Sequence, residues 1–103
     1  MPGNNSWYMY VLHCHDKSYY CGITTNIKRR VEEHNWDKKR ASKYAWSRRP
    51  VTMIYYETYA TRSAASIAEC TFKKLSKSQK LDYMLKSVNI NFETGSASTR
   101  AKK

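Results

Sequence analysis

Residues 7–34 read WYMYVLHCHDKSYYCGITTNIKRRVEEH, and they contain the first three predicted elements of the fold. Its first part, Trp7 to Cys14, is aromatic, β-branched and apolar, which predicts a strand. Turn-forming residues at 16–18 follow, and Tyr19 to Thr24 predicts a returning strand. The asparagine at position 26 is a good N-cap, so we expect a helix from Ile27 to about Asn35. The stretch therefore predicts a hairpin followed by a helix that can pack on it.

The remainder of the chain completes a small α+β domain. Val51 to Glu57 is rich in β-formers and predicts a third strand. Thr61 or Ser63 can cap a helix whose apolar residues repeat at helical spacing, and a shorter helix restarts at Ser76. We expect a three-stranded, mainly antiparallel sheet flanked by helices. Residues 1–90 would form the domain, and residues 91–103, which are polar and end in basic residues, would form a disordered tail.

The charge balance limits the classes of partner. Nineteen Lys and Arg residues against eight Asp and Glu give a net charge of +11, with a pI near 9.7. Such an excess favours a polyanionic partner. No apolar run is long enough to span a membrane, and the start of the chain has no signal-peptide pattern. Three cysteines, an odd and sparse set, favour reduced thiols in a cytoplasmic protein.

Five polar residues stand where the folding pattern does not require them. Tyr10 and Tyr20 lie on the two strands of the hairpin, where cross-strand neighbours come close together. Arg30 and His34 are four residues apart on the first helix, so they share a face. Glu69 lies beside the apolar stripe of the later helix. Each residue alone has an ordinary structural explanation. Only the five residues together indicate a site.

In its order of motifs the sequence resembles the GIY-YIG nuclease superfamily, specifically its small stand-alone bacterial members. The first motif is Tyr8-Met9-Tyr10, which keeps the tyrosine but lacks the glycine and the isoleucine. The second is Tyr20-Cys21-Gly22, with cysteine in place of isoleucine. The resemblance covers roughly Trp7 to Leu85, and its later matching segments are residues 23–34, 48–51, 62–65 and 69–76.

The resemblance implies hydrolysis of a phosphodiester with one divalent metal. Glu69 would be the ligand of Mg²⁺ or Mn²⁺, and Arg30 would hold phosphate oxygens with its planar guanidinium. Tyr10 would be the general base, with its pKa lowered by Arg30 and the metal. Tyr20 and His34 would complete the hydrogen-bonded network. The opposite assignment, with Tyr20 as the base and Tyr10 in the orienting role, stays open.

A segment from Trp36 to Pro50, which we call the basic segment, follows the first helix and has aromatic residues among its Lys and Arg residues. Charges of this kind can follow phosphates while aromatic rings stack on unpaired bases. The segment predicts a DNA-binding surface for single-stranded, flapped or branched DNA. Its candidate contacts are Lys39, Arg40, Lys43, Tyr44, Trp46, Arg48 and Arg49.

Two other functions compete with a monomeric or weakly associating DNA endonuclease. One is a nucleic-acid-binding module, or a partner subunit, that has the fold but does not cut. The other is an RNA-cleaving nuclease, because the contacts that distinguish a 2′-hydroxyl cannot be read from the sequence. A binding module would have no use for a carboxylate aimed at phosphates, so Glu69 favours the enzyme.

Overall fold

The computed structural model describes residues 6–94 and, among these, the side chains of residues 6–87. Within this range the confirmed architecture is α+β, with a three-stranded antiparallel sheet and four helices. The elements along the chain are β1 (Trp7–His13), β2 (Tyr19–Thr24), α1 (Ile27–Trp36), α2 (Lys43–Ser47), β3 (Thr52–Tyr59), α3 (Arg62–Lys73) and α4 (Lys77–Thr94).

Strand β1 is the centre of the sheet, with the order β2-β1-β3 in the described residues. Both neighbours run antiparallel to it. Tyr10 of β1 lies opposite Gly22 of β2 on one side and Tyr56 of β3 on the other. The predicted hairpin is therefore present, and β2 forms one edge of the sheet.

One face of the sheet is covered by α3 and α4. Side chains alternate between the faces of a strand, so Met9 and Val11 of β1 point to the same side. There they pack with Cys21 of β2, Phe72 of α3 and Met84 of α4 in a buried apolar cluster. This cluster is the core on the α3 side.

The opposite face is covered by α1 and α2. Tyr10 and Leu12 of β1 are buried here. They pack against Ala45 of α2 and against Ile27 and Val31, which form the apolar stripe of α1. The two faces of β1 therefore pack against different helices, and the face with Tyr10 carries the first helix.

Polar side chains cap the four described helices at their first turns, where backbone N–H groups have no partner inside the helix, and Ser76 caps α4 through the N–H of Gln79. The Asn26 side chain accepts a hydrogen bond from the N–H of Arg29 at 3.0 Å, as predicted. Thr61, rather than Ser63, caps α3. Ser42 caps the short helix α2 within the basic segment.

Helix α4 is longer than the sequence analysis predicted. It extends from Lys77 to Thr94, so residues 91–94 are helical and the predicted boundary at residue 90 falls inside the helix. Apolar residues recur at helical spacing from Leu81 onward, and a nucleated helix extends at little cost per residue. The rest of the predicted disordered tail, residues 95–103, lies outside the described residues.

Two further observations concern the helices and the cysteines. Among residues 6–94, no helix combines the length and the apolar character that crossing a membrane requires. The three cysteines are free, with Cys14 and Cys21 buried and Cys70 exposed.

Candidate active site

The ring of Tyr10 extends from the central strand across Gly22 of the edge strand. A Cβ atom on Gly22 would lie 2.6 Å from the hydroxyl oxygen of Tyr10 and 2.8 Å from its Cζ, closer than van der Waals contact allows. The φ angle of Gly22 is not positive, so space rather than an unusual dihedral requires glycine here. The glycine of the second motif therefore lets the Tyr10 phenol reach toward the β2 edge while remaining only 1% exposed.

The hydroxyl of Tyr10 lies 3.0 Å from Nε2 of His34, which is fully buried. The backbone N–H of Ser42 donates to Nδ1 of the same ring at 3.3 Å. Because a backbone N–H can only donate, Nδ1 must be the unprotonated nitrogen. In the neutral imidazole the proton is then on Nε2, and Nε2–H donates to the Tyr10 oxygen. His34 is thus a hydrogen-bond donor to Tyr10.

Burial determines the protonation states of both partners. Burial, together with the positive charge of Arg30, lowers the pKa of His34 to about 4, so the ring is neutral at pH 7. Burial also raises the pKa of Tyr10, and the charge of Tyr20 acts in the same direction. Arg30 lowers the pKa of Tyr10, as expected from the sequence, but burial outweighs it. In this structure Tyr10 is a neutral phenol that accepts hydrogen bonds.

Arg30 connects this buried pair to the surface. Its Nη1 donates to Oε1 of Glu33 at 2.9 Å and to the backbone oxygen of Arg40 at 2.7 Å. The guanidinium also lies close enough to the Tyr10 phenol to lower its pKa by charge and by hydrogen bonding. A guanidinium has five N–H donors, so donors remain for a phosphate.

Tyr20 belongs to a column of rings that leads from the surface to Tyr10. Its ring stacks on Tyr44 with centroids 5.8 Å apart and planes 28° apart, and the guanidinium of Arg48 lies 3.7 Å from the centroid of Tyr44. On its other side Tyr20 meets the ring of His34 edge-on at 5.3 Å and that of Tyr10 at 6.4 Å. Tyr10, Tyr20, Arg30 and His34 therefore converge as predicted, and we call these four residues the tyrosine cluster.

Glu69, the fifth predicted residue, approaches from the other face of the sheet. It lies on α3, and its Oε2 is 3.0 Å from Nζ of Lys73 one helical turn later. Its helix packs on the sheet face of Met9 and Val11, where Cys21 also lies, and the charge of Glu69 contributes to raising the pKa of Cys21 after the larger effect of burial. Glu69 therefore does not share a sheet face with Tyr10. The two can meet only around the edge strand.

Lys73 provides the connection around that edge. Burial alone would lower the pKa of Lys73. The hydrogen bond and charge of Glu69, with a smaller contribution from the charge of Tyr20, outweigh burial, so the pKa of Lys73 is raised. The ammonium of Lys73 is thus paired with the carboxylate of Glu69 and also within electrostatic range of the Tyr20 phenol. The ion pair of Glu69 with Lys73 is the ordinary i,i+4 contact of a helix, and it exists beside any role in binding a metal.

The donor set at Glu69 fits a hard divalent cation held mainly by water and substrate. Among the described residues no group of three or more His, Cys, Asp and Glu side chains is placed to bind a metal. A zinc cage is therefore not formed there. Mg²⁺ needs only one or two carboxylates when substrate phosphates and water supply the other ligands. The half-buried carboxylate of Glu69, whose side chain is 20% exposed, fits that description.

The predicted nucleic-acid-binding residues divide into two groups. Three arginines are already engaged by the protein: Arg40 with Asp37 at 2.9 Å, Arg48 with Asp16 at 2.8 Å, and Arg49 with the backbone oxygen of Trp46 at 2.7 Å. Two of them also stack on rings, with Arg49 3.5 Å from the centroid of Trp46. Lys39 and Lys43 are exposed and form no salt bridge with a described carboxylate. The arginines therefore also organise the segment itself.

Two contributors to the site were not predicted. The N–H of Ser42 fixes the tautomer of His34, and a backbone donor of this kind leaves no signal in the sequence. The second is Lys73, whose electrostatic interaction with Tyr20 depends on how α3 packs on the sheet.

Comparison with known proteins identifies the family. The family-wide sequence profile described as the GIY-YIG catalytic domain matches residues 6–82. The chain therefore belongs to the GIY-YIG family, whose catalytic domain is a nuclease domain acting on nucleic acid. The match implies endonuclease activity, and nucleases of this family are in general dependent on divalent metals.

Within that family, the chain is similar to small proteins named UPF0213. It is 46% identical over 85 residues to one from Listeria welshimeri, covering 82% of this chain and 92% of the relative. It is 47% identical over 78 residues to one from Streptococcus pyogenes, covering 75% and 83%. The solution structure of a protein from E. faecalis is 40% identical, with a TM-score of 0.55 over 92% of this chain and 94% of the other.

Proposed function

We propose that this protein is an endonuclease that hydrolyses phosphodiester bonds of DNA with Mg²⁺ or Mn²⁺ at the edge strand β2. The observation that carries this proposal is the position of Tyr20. Its ring is part of the tyrosine cluster on one face of the sheet, and its phenol interacts with the charge of Lys73, the partner of Glu69, on the other. A substrate phosphate at this edge would contact both sets of residues.

Tyr20 is the better of the two candidate general bases. Tyr10 is 1% exposed and its oxygen is taken up by His34, so an attacking water has little access to it. Tyr20 is only partly buried at the β2 edge, within electrostatic range of the Lys73 ammonium, so an attacking water can reach its phenol. Tyr20, after losing its own phenolic proton to solvent, would accept the proton of the attacking water as a phenolate, and Tyr10 would hold Arg30 in place. The structural support therefore favours the assignment that the sequence left as the alternative.

Arg30 would bind the scissile phosphate. It reaches the surface from the buried cluster, and its planar, permanently charged guanidinium matches two oxygens of a phosphate. The hydrogen bonds to Glu33 and to the backbone oxygen of Arg40 fix its orientation before substrate arrives. Such preorganised charge is the main means by which enzymes stabilise phosphoryl-transfer transition states.

Glu69 would hold the divalent cation at the same edge. When bound, the cation supplies positive charge at the phosphate and at the departing oxygen. Lys73 shares this carboxylate through Oε2, and its ammonium would contact the phosphate where the cation displaces it.

A preference for single-stranded, flapped or branched DNA is part of the proposal. Trp36 is 81% exposed at the end of α1, where the basic segment begins, and an exposed indole can stack on an unpaired base. Lys39, Arg40, Lys43, Tyr44, Trp46, Arg48 and Arg49 would form the surrounding surface. We expect the protein to act in the cytoplasm as a monomer or weak dimer, and a DNA-repair role is consistent with branched substrates.

A cleavage assay tests the proposal. Purified protein is incubated with labelled single-stranded, flapped and duplex DNA and with RNA, in Mg²⁺ or Mn²⁺, with and without chelator. We expect metal-dependent cleavage of DNA that Glu69→Gln abolishes. Glu32→Gln, which changes an exposed glutamate on α1, is the matched control and should cut like the parent.

Three outcomes would reject parts of the proposal. Binding without cleavage by the parent would favour a binding module. Cleavage of RNA in preference to DNA would make the protein a ribonuclease. Undiminished cleavage by Glu69→Gln would remove the carboxylate from the metal site.

A further inference from the structure

A cleft lies at the β2 edge next to the tyrosine cluster, and apart from Arg30 and Glu33 its lining residues have no role assigned so far. Its volume is about 370 Å³, and we call it the edge cleft. Helix α1 forms one wall with Arg29, Arg30 and Glu33, and α3 contributes Arg62 from the other face of the sheet. The two helices therefore meet around the edge strand, as a shared substrate site there requires.

The edge cleft has a positive charge that its own carboxylate does not balance. Glu33 is 2.9 Å from Arg30 and 3.6 Å from Arg29, so a single carboxylate serves two guanidinium groups. Arg62 is exposed and forms no salt bridge with any carboxylate among the described residues. Three arginines against one glutamate favour an anionic ligand.

An aromatic platform lies in the same cleft. Trp7, at the start of β1, lines it, and the guanidinium of Arg62 is 5.8 Å from the centroid of the Trp7 ring. Thr24 and Thr25 also line the cleft. Guanidinium groups beside an indole match the two chemical parts of a nucleotide, because the phosphate takes charge and hydrogen bonds while the base stacks.

We infer that the edge cleft binds a nucleotide that flanks the scissile phosphate, with Arg62 and Arg29 on its phosphate and Trp7 against its base. Arg30 lines both the cleft and the tyrosine cluster, so a strand held there would pass directly to the site of cleavage. The inference rests on the proposed function for the identity of the strand as DNA. It gives the strand a path along the β2 edge.

Binding measured without cleavage tests this path. A labelled single strand of about 20 nucleotides is titrated in the presence of chelator over a series of salt concentrations. We expect Arg62→Gln to weaken binding severalfold and to reduce the slope of log K against log salt by about 1, because one phosphate contact is lost. Lys74→Gln removes one exposed charge at the far end of α3 and should bind like the parent. Arg62→Lys keeps the charge and should keep the slope.

The indole makes a separate prediction, because stacking carries no charge. Trp7→Leu should weaken binding of the single strand and leave the salt slope unchanged, and Trp7→Phe should retain most of the affinity. Equal binding by Arg62→Gln and Lys74→Gln would overturn the inference, as would no change in Trp7→Leu or no binding by the parent. The chelator prevents metal-dependent cutting, so this assay measures binding alone. If the parent binds through Arg62 here but does not cut in the separate assay with metal, the nuclease proposal is rejected and the edge cleft is still supported.

Discussion

Nε2 of His34 and the hydroxyl oxygen of Tyr10, 3.0 Å apart, join α1 to the central strand through a hydrogen bond inside the protein. The N–H of Ser42 fixes the direction of this bond, since it forces the imidazole to donate through Nε2. Protonating the ring at Nδ1 would break the contact with Ser42 and place a charge in a buried site beside Arg30. The arrangement therefore requires a neutral histidine.

This requirement makes stability depend on pH. The pKa of His34 is about 4 in the folded protein against 6.5 as the ordinary value, so the unfolded state binds the proton more readily between these limits. The contribution of His34 to the free energy of unfolding should be fully present above about pH 6.5. The free energy of unfolding should then fall by up to about 3 kcal/mol as the pH drops toward 4. Urea denaturation at several pH values measures it. His34→Gln should flatten the dependence, and His15→Gln, at an exposed position, should not. An identical pH dependence in the parent and His34→Gln would contradict this explanation.

Gly22 is the second support of the Tyr10 ring. Gly22→Ala places a Cβ 2.6 Å from the Tyr10 hydroxyl, so we expect the ring to shift and the free energy of unfolding to fall by about 1–3 kcal/mol. Removing the hydroxyl with Tyr10→Phe relieves part of this clash. The double variant should therefore lose less stability than the sum of the single variants. Additive losses in urea denaturation would show that the two residues do not crowd each other.

Glu57 forms a structural centre away from the proposed site. The phenols of Tyr55 and Tyr59 on β3 and of Tyr83 on α4 all donate to its carboxylate, which therefore ties α4 to the sheet. Glu57→Gln keeps the shape but weakens three charge-assisted hydrogen bonds. We expect a loss of about 2 kcal/mol or more in the free energy of unfolding, with faster amide hydrogen exchange in α4. Unchanged exchange in α4 would mean that the carboxylate does not hold the helix.

Lys73 competes with any cation for Glu69, because its ammonium is 3.0 Å from the carboxylate. Lys73→Met should therefore tighten Mn²⁺ binding by about three- to tenfold, in line with the roughly 1 kcal/mol that a partly exposed ion pair contributes. Calorimetric titration of Mn²⁺ measures the affinity without substrate. Lys74→Met, one residue away and without this contact, is the control. Weaker Mn²⁺ binding in Lys73→Met would indicate that the lysine assists the metal site instead of competing with it.

The hairpin, the first helix and the face shared by Tyr10, Tyr20, Arg30 and His34 could be predicted because each depends on local spacing. Strand alternation relates the two tyrosines, and the i,i+4 spacing relates the arginine to the histidine. The placement of Glu69 on the opposite face could not be predicted. Spacing within α3 does not say on which side of the sheet the helix packs.

Burial and internal hydrogen bonding were equally out of reach. The sequence contains no sign that Tyr10 is inaccessible to water, and this changes which phenol is the better base. The edge cleft combines Trp7, Arg29 and Arg62 from three elements, so no motif contains it. By contrast, Tyr55, Glu57 and Tyr59 have alternate positions on one strand. That spacing alone places them on a common face.

Tyr20, as the proton acceptor at the β2 edge, is the central residue of the proposed mechanism. The decisive measurement is the single-turnover rate of DNA cleavage at saturating substrate for Tyr20→Phe, which removes one oxygen and keeps the ring that stacks on Tyr44. We predict a loss of about 10²–10⁴-fold relative to the parent, the usual contribution of a general base. Cleavage by Tyr20→Phe at the rate of the parent would contradict the account.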